Sequence, residues 1–586
     1  MDETSSNQEE NRSTLETCRN IILSEDYVDL ILNIGRQSSH LLPTEELDCL
    51  EVIDRQFAIY HYPINKIPNI TTVVYNYRIF PKLYGLQDTT SMEASGIIRL
   101  RNLAGERFRG KGVLIGFIDT GIDYTHPVFR FSDGSSKIEA IWDQTIQSGT
   151  PPEGFLYGSE YKKEEINTAL ANENPYSIVP SIDTIGHGTF MAGIAAGSDY
   201  PEGDFSGAAP EASIAMVKLK PAKQIFRDYY LVSKDAVCYQ ETDIFSGIHY
   251  LIQMADKRDL PLVILLALGT NNGGHVGSNN LANYINSISE LYNIAVIISA
   301  GDEGSRALHY QGDFSTIQEG TPSSSAFDTI EIMVGEGERG FCAEFWMQLP
   351  AFATISLVSP SGEVSPKVTG KLGTNYIYRF LFENTRVSIQ YHLIGGYLND
   401  VLIFLRVEEP VAGIWRLRIY PEENTTGTYD IWLPIHEFLS SDTRFLKPNP
   451  NITITEPSTT LNAITVSTYN HADDSIYLYS GRGFTRGVSI KPDIAAPGVN
   501  VYGPLPENRF GVRTGSSISA AHVAGASAIL LSWGTIEGNA PFLNSSTIKS
   551  YLIRGASRKP SLTYPNREWG YGSLDLYQSL NILRPT

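Results

Sequence analysis

Three motifs in this chain carry side chains that together can activate a hydroxyl nucleophile. GFIDTGIDYTHP contains Asp119, GHGTFMAGIAAG contains His187, and TGSSISAAHVAGASAILL contains Ser517. A serine hydroxyl is a poor nucleophile near neutral pH, so an imidazole has to take its proton. A carboxylate has to hold that imidazole in the right tautomer and stabilise its charged form. We therefore predict that Asp119, His187 and Ser517 are a catalytic triad.

Each of these residues also has a structural interpretation. Taken singly, Asp119 could cap a turn, His187 could pack in a core, and Ser517 could cap a helix. A fourth motif, KPDIAAPG, lies shortly before the serine motif. The presence of four motifs in one chain favours the catalytic interpretation. The spacing of two further histidines, His126 and His522, indicates packing and turn roles instead.

The elements that must position the triad are strands and helices in alternation. Apolar runs typical of strands buried on both faces are KGVLIGFID, ASIAMVKLK, PLVILLALG and IAVIISAG. Helical patterns such as DIFSGIHYLIQMADKR lie between them. This alternation predicts an α/β domain with a parallel sheet. Asp119 ends the first run, and open α/β sheets place their sites at the carboxyl ends of strands.

A different pattern interrupts this domain. Short strand-like segments such as ATISLVSP and DVLIFLRV follow one another there, separated by Gly, Pro, Asn and Ser. They predict an inserted all-β sandwich or jelly roll. The predicted organisation is a disordered tail, an N-terminal α+β domain, and an α/β domain whose two parts flank the insert: 1–13, 14–87, 88–304, 305–455 and 456–586.

Composition excludes some classes of function. The chain has 586 residues, and 65 acidic against 45 basic side chains give a formal charge of −20, which opposes binding to nucleic acid. No run is apolar for long enough to predict a membrane span. The start, MDETSSNQEENRS, is polar and acidic where a secretory signal is basic and then apolar. We therefore expect the protein to stay inside the compartment where it is made.

No cofactor or metal is predicted. The triad chemistry needs no cofactor, and no loop of closely spaced carboxylates compels a calcium site. The cysteines show no CxxC spacing, and buried free thiols are favoured over disulfides for all four: Cys18, Cys49, Cys238 and Cys342.

The four motifs, in this order, resemble those of the subtilase superfamily of serine endopeptidases. The resemblance covers about 88–304 and 456–586 and implies a subtilisin-like fold. It assigns the nucleophile to Ser517, by counting back from HVAG, and gives the Ser517 backbone N–H a role in binding the oxyanion. Leu268 and Gly269 resemble the strand edge that pairs with an extended substrate, with plain sheet structure as the alternative.

One position departs from the subtilase pattern. Subtilases stabilise the oxyanion with an Asn side chain in a segment like AAGNEG, whereas this chain has SAGDEGS with Asp302 at the Asn position. An ionised carboxylate donates no hydrogen bond and repels the developing negative charge. Losing such a donor costs roughly 10²–10³-fold in turnover. A protonated Asp302 could donate, but this requires a strongly raised pKa. We therefore predict weak or narrowly specialised peptidase activity.

The whole architecture is similar to that of the clostridial Csp germination proteases, as is the string PKLYGLQDTTSMEASGI. This resemblance implies that the N-terminal domain is a prodomain, which the enzyme cuts off and retains in its active site. Cleavage is predicted after Gln87 and before Asp88, with Tyr84 and Leu86 in the substrate pockets. The alternative is that this string is only a linker.

The same resemblance implies a role in spores. Csp proteases cut the zymogen of a cortex-lytic hydrolase, so that peptidoglycan degradation starts during germination. We expect this chain to act in that way, in the cortex or coat region, with other Csp-like proteins as candidate partners. Some members have lost triad residues and act as pseudoproteases, so a regulatory or scaffold role is the alternative, favoured here by Asp302. A housekeeping intracellular subtilase is a third interpretation.

Overall fold

A small antiparallel sheet lies near the N-terminus. The computed structural model describes residues 18–33, 49–66, 79–86, 95–104, 107–317, 327–395, 398–423, 425–440 and 442–583. A short helix over 18–23 precedes strands β1 (Tyr27–Asn33), β2 (Leu50–Val52) and β3 (Phe57–Pro63), with β3 in the middle. The Phe57 ring packs 5.4 Å from Phe245 of the α/β domain, measured between centroids. The predicted tail, 1–13, lies outside the described residues.

The prediction that all four cysteines are free thiols is wrong for one pair. Cys18 and Cys49 form a disulfide, with their Cα atoms 5.2 Å apart. The two residues are 31 positions apart in sequence, so only the packing of the helix against the sheet brings them together. Cys238 and Cys342 are free and buried, and burial raises the pKa of these thiols to about 11 and about 12.

The next strand, β4 (Leu83–Leu86), pairs with the α/β domain instead of with β1 to β3. It lies between β9 (Tyr239–Gln240) and β11 (Leu268–Gly269) and is antiparallel to both. The N-terminal part of the chain therefore ends as the middle strand of a three-stranded sheet whose edges belong to another domain.

The apolar runs of the α/β domain form one nine-stranded, mainly parallel sheet. Its strands are β5 (Leu114–Asp119), β6 (Ile138–Asp143), β7 (Ser159–Lys162), β8 (Ser213–Lys218), β10 (Leu262–Leu266), β12 (Ile294–Ser299), β23 (Ile464–Asn470), β24 (Ser475–Ile476) and β25 (Ile494–Pro497). They lie in the order β24-β23-β12-β10-β5-β8-β6-β7, with β25 beside β23. β5 is parallel to both of its neighbours and buried along its whole length. The predicted α/β fold with a parallel sheet is confirmed.

Two buried helices lie against this sheet, α3 (His187–Ala196) and α7 (Ser516–Leu531). Small residues in these helices allow neighbouring segments to pack closely against them. At Gly525 of α7, for example, an added Cβ would lie only 2.3 Å from the Cβ of Ala208. A hairpin of β26 (Val501–Leu505) and β27 (Arg509–Arg513) precedes α7. The other helices are α1 (Ile97–Ala104), α2 (Lys163–Leu170), α4 (Gln224–Tyr229), α5 (Glu241–Arg258), α6 (Asn280–Ile288), α8 (Ser545–Gly555) and α9 (Leu576–Asn581).

One helical segment within the described residues is long and apolar enough to cross a membrane. It is Ser516–Ile536, which consists of α7 and the turn that follows it. Because 89% of its apolar window is buried inside the protein, it has the character of a core helix.

Two antiparallel sheets separate the two parts of the α/β domain. Their strands are β13 (His309–Asp313), β14 (Asp328–Val334), β15 (Gly340–Gln348), β16 (Ala353–Val358), β17 (Asn375–Arg379), β18 (Arg386–Ile394), β19 (Asp400–Glu408), β20 (Gly413–Pro421), β21 (Thr428–Trp432) and β22 (Arg444–Phe445). The six-stranded sheet has the order β13-β21-β15-β19-β18-β17, and the four-stranded sheet β16-β20-β14-β22. The sheets share one apolar core. Within the described residues this region, called the insert below, is all-β, while its jelly-roll connectivity stays a prediction.

A buried ion pair joins β1 to the α/β domain. Lys223 Nζ lies 2.7 Å from Asp29 Oδ1, and His61 Nδ1 lies 2.6 Å from the same oxygen. Burial alone would raise the pKa of Asp29, but the charges of Lys223 and His61 lower it overall. The pKa of Asp29 in the folded state is below the ordinary value of about 3.9. The ion pair therefore stabilises the folded state fully above about pH 3.9, and this stabilisation is lost as the pH falls towards the folded-state pKa.

We predict that Lys223→Met loosens the N-terminal sheet. The substitution leaves Asp29 as a buried carboxylate without its main counter-charge, which costs about 3–5 kcal/mol. Hydrogen exchange of the β1 and β3 amides should therefore speed up. Glu153→Gln, which breaks the exposed Lys257–Glu153 pair, is the matched control and should leave exchange unchanged. Equal protection in Lys223→Met and wild type would contradict the prediction.

Candidate active site

Asp119 and His187 meet at the carboxyl edge of the parallel sheet. Asp119 is the last residue of β5, and His187 is the first residue of α3. His187 Nδ1 lies 2.8 Å from Asp119 Oδ1 and 2.9 Å from Oδ2. Both side chains are almost completely buried. A carboxylate at Nδ1 holds the proton on that nitrogen, so Nε2 is the atom that can accept a proton from a nucleophile.

A second buried carboxylate, Asp183, fixes the start of α3. Its Oδ1 accepts hydrogen bonds from the Gly186 N–H and the Thr120 hydroxyl, both at 2.8 Å. Its Oδ2 accepts from the N–H and the hydroxyl of Thr189 at 2.9 and 2.7 Å. Asp183 is therefore a positioning residue for His187. Sequence reasoning missed it, although an Asp just before a helical motif is a recognisable capping signal.

Ser517 lies in the first turn of α7. The chain enters this turn through Gly515, whose φ of 152° is in a region that favours glycine. Arg513 donates to the Ile185 carbonyl at 3.2 Å, which joins the segment before Ser517 to the segment before His187. Backbone N–H groups in a first helical turn are not used by the helix itself. The Ser517 N–H belongs to this first turn, and its role in binding the oxyanion stays a prediction.

Asp302 lies in the loop that follows β12, here called the oxyanion loop (300–304). Its side chain is buried, and its two carboxylate oxygens accept the Ser516 N–H at 3.1 and 3.3 Å. The carboxylate thus lies beside the residue that precedes the predicted nucleophile, which is where the subtilase pattern places the Asn. It acts as an acceptor there. A negative charge at this position opposes the charge that develops on a tetrahedral intermediate.

The predicted substrate edge is paired with the predicted cleavage segment. Leu268 lies opposite Leu86, and Gly269 lies opposite Gly85. On the other side of β4, Tyr84 lies opposite Tyr239. An extended peptide held between two strands is a general mode of peptide recognition. Gln87 and Asp88 lie outside the described residues.

The other histidines singled out from the sequence lie in packed surroundings. His126 is buried, accepts the Val128 N–H through Nδ1, and has its Nε2 3.1 Å from the Arg509 carbonyl. His522 lies inside α7 with Nδ1 2.8 Å from the Ile518 carbonyl, and burial lowers its pKa to about 3. These positions agree with the packing and turn roles expected for both residues.

The insert contacts the loop that follows the substrate edge strand β11, a role that sequence reasoning missed. Glu344 of β15 is buried and accepts hydrogen bonds from the Asn272 side chain at 2.8 Å and the Gly273 N–H at 2.9 Å. Asn271 donates to the Leu433 carbonyl at 3.0 Å. The insert therefore holds the loop after β11 in place.

The insert also contacts the oxyanion loop. His436 Nδ1 lies 2.8 Å from Glu303 Oε1 and 3.2 Å from Glu437 Oε2. Burial lowers the pKa of His436, but the carboxylates outweigh it and the net direction is upward. Burial and the Glu303 carboxylate raise the pKa of Glu437 to about 8. Glu437 therefore keeps its proton near neutral pH, beside the ion pair of His436 and Glu303.

Comparisons with known proteins agree with this geometry. The model of the subtilase family matches residues 110–335 and 441–572, together more than half of the chain. The solved structure of the CspB protease of Clostridium perfringens is 31% identical, with a TM-score of 0.74, and the match covers 84% of this chain and 98% of that one. The C5a peptidase of Streptococcus pyogenes serotype M6 is 23% identical over 74% of this chain. The subtilisin-like protease SBT1.9 of Arabidopsis thaliana is 29% identical over 29% of it.

These matches define the class of protein. The chain belongs to the subtilase family of serine endopeptidases. Among the matched structures is the CspB protease, to which it is similar over most of its length. It spans only 35% of the C5a peptidase.

We predict that Asp302→Asn raises turnover. The amide oxygen can still accept the Ser516 N–H, while the amide NH₂ supplies a donor for the oxyanion. One such donor is worth roughly 10²-fold or more in kcat. The measurement is kcat on a chromogenic peptide that carries Tyr-Gly-Leu-Gln, the sequence of residues 84–87. Asp235→Asn, in an exposed turn, is the control, and an unchanged or lower kcat in Asp302→Asn would refute the repulsive role of the carboxylate.

A second prediction concerns Glu344→Ala. The substitution leaves the buried Asn272 amide and Gly273 N–H without their acceptor, which costs about 1–3 kcal/mol. It should lower both the melting temperature and kcat/KM on the same peptide. The control is Glu331→Gln, which removes a half-exposed partner of Arg416 in the same insert. It should change neither the melting temperature nor kcat/KM. If Glu344→Ala behaves like this control, the insert does not support the loop after β11.

Proposed function

We propose that this chain is an active serine endopeptidase that cuts itself after Gln87. The observation that carries the proposal is the register of β4, in which Leu86 and Gly85 lie opposite Leu268 and Gly269. The residue that follows this paired strand is Gln87. The Asp119–His187 pair supplies the general base, and Ser517 is the nucleophile at the start of α7.

We propose further that the cleaved N-terminal segment stays bound. Three contacts support this. β4 is the middle strand of a sheet whose other strands belong to the α/β domain. The buried Asp29–Lys223 ion pair and the Phe57–Phe245 ring contact hold the preceding strands on the same domain. None of these contacts needs the peptide bond after Gln87 to be intact.

For the substrate in trans, we propose the zymogen of a cortex-lytic hydrolase, cleaved in the cortex or coat region of a germinating spore. The support is the similarity to the CspB protease over 84% of the chain, together with the Csp-like string at 81–97. Other Csp-like proteins are the candidate partners within this proposal.

A second candidate is a pseudoprotease that binds partners without turning over substrate. The observation that favours it is Asp302, whose carboxylate lies at the position of the oxyanion donor. The Asp119–His187 geometry opposes it, because an idle site does not need a base held in its working tautomer.

The self-cleavage test compares the intact mass of wild type with that of Ser517→Ala. We expect wild type to split into one fragment that ends at Gln87 and one that begins at Asp88, while Ser517→Ala stays whole. Both wild-type fragments should elute together in gel filtration if the N-terminal segment is retained. Asp119→Asn keeps the shape of the side chain and should also stay whole or split very slowly.

Three outcomes would contradict the proposal. An uncut wild type would favour the pseudoprotease. A wild type and Ser517→Ala that are cut alike would mean that another protease makes the cut. A cut at a different bond would refute the assignment of Gln87 from the register of β4.

A further inference from the structure

A compact set of metal-ligand side chains lies beside the triad and takes no part in it. Glu303, His436 and Glu437 each offer one ligand atom, and these three atoms all lie within 4.8 Å of one another. The imidazole Nδ1 of His436 faces both carboxylates, at 2.8 Å from Glu303 and 3.2 Å from Glu437. A cation in the place of the Nδ1 proton would be in reach of one nitrogen and two carboxylate groups.

We propose that Glu303, His436 and Glu437 bind a divalent transition-metal cation, with Zn²⁺ as the best fit. Three protein ligands drawn from His and Glu, with water in the fourth position, are a common zinc environment. The imidazole argues against Ca²⁺ and Mg²⁺, which take oxygen ligands. Binding of the cation does not depend on the proposed peptidase activity.

The ligands come from two parts of the fold that are already held together. Glu303 belongs to the oxyanion loop of the α/β domain and is 3% exposed. His436 and Glu437 belong to a short 3₁₀ turn of the insert, His436–Phe438, which is anchored by the buried Phe438 ring. The His436 N–H also donates to Glu303 Oε2 at 3.3 Å, so the turn and the loop are in contact through backbone as well as side chain. The cation would therefore link the insert to the oxyanion loop.

The ligand set can accommodate a dication. The carboxyl groups of Glu303 and Glu437 both face the imidazole of His436, and binding of a cation would release the protons held among these groups. The nearby Arg306 guanidinium stacks on Tyr479, 4.0 Å from the ring centroid. A dication at this position would bring positive charge beside the oxyanion loop. It would also weaken the repulsion that Asp302 exerts on a developing oxyanion, because such interactions act strongly in a region shielded from water.

The test measures Zn²⁺ binding to the full chain by equilibrium dialysis after the protein has been stripped with a chelator. The Ser517→Ala background prevents self-cleavage, so failure to bind the ion and failure to act as a peptidase are separate results. We expect one Zn²⁺ per chain and no comparable binding of Ca²⁺. Zn²⁺ should also raise the melting temperature, since it binds the folded state.

Matched variants assign the site. His436→Ala and Glu437→Gln should each weaken Zn²⁺ binding by more than about tenfold, because loss of even an outer contact of a metal site costs 10–100-fold. His249→Ala removes a histidine of α5 that pairs with Gln253, and this control should bind like the parent. Glu437→Gln keeps the size of a partly exposed side chain and should therefore fold. If His436→Ala does not fold, Glu437→Gln alone tests whether the ion binds at this site.

The proposal is overturned if the chain binds no stoichiometric Zn²⁺. It is also overturned if Glu437→Gln and the His249→Ala control bind the ion equally well. Preference for Ca²⁺ over Zn²⁺ would refute the assignment of a transition-metal ion.

Discussion

The hydrogen bond between His187 and Asp119 depends on two elements that meet at one edge of the sheet. β5 carries the carboxylate on its last residue, at the carboxyl edge of the parallel sheet, where α/β sheets place their sites. α3 brings the imidazole on its first residue, and Asp183 holds that helix end through hydrogen bonds from Gly186 and Thr189. Ser517 on α7, the predicted nucleophile, can be activated only if this pair is in place. This geometry depends on the parallel sheet, on the buried helices α3 and α7 and on the glycines around these helices.

The other half of the site contains a carboxylate where the subtilase pattern has an amide. Asp302 places a carboxylate beside the N-terminus of α7, where the Ser516 N–H and the helix end stabilise it. The same interaction that stabilises the folded loop thus works against an oxyanion. The insert reaches both walls of this region, through Glu344 at the substrate-edge loop and His436 at the oxyanion loop. It is consequently in a position to influence catalysis and not only stability.

The sequence predicts the fold well because its signals are local, and the motifs that mark the predicted triad are equally local. Buried parallel strands are continuous apolar runs, and each triad residue lies in a short motif at the end of such an element. Asp302 is also visible, since it replaces one residue in a recognisable segment. The substrate-edge role of Leu268 and the placement of Leu86 in a substrate pocket come from the resemblance, whereas the pairing of these two residues is seen only in the fold.

Contacts between distant parts of the chain could not be predicted in this way. Cys18 and Cys49 pair because a helix packs on a sheet, and no spacing rule marks them. The sequence does not distinguish Glu344 from other polar strand residues, and its contact with the Asn272 side chain is visible only in the fold. His436 and Glu303 are more than a hundred residues apart, on either side of most of the insert. Their proximity depends on how the insert packs against the α/β domain, and local sequence patterns do not indicate this packing.

The most direct test of the account is covalent labelling of the nucleophile. A fluorophosphonate reacts with a serine only when a neighbouring base activates it, and peptide mass mapping locates the label. The account predicts that Ser517 is modified in wild type and that the modification is lost in His187→Ala. A wild type that remains unlabelled, or a label on Ser517 that persists in His187→Ala, would contradict the claim that Asp119, His187 and Ser517 work as one catalytic unit.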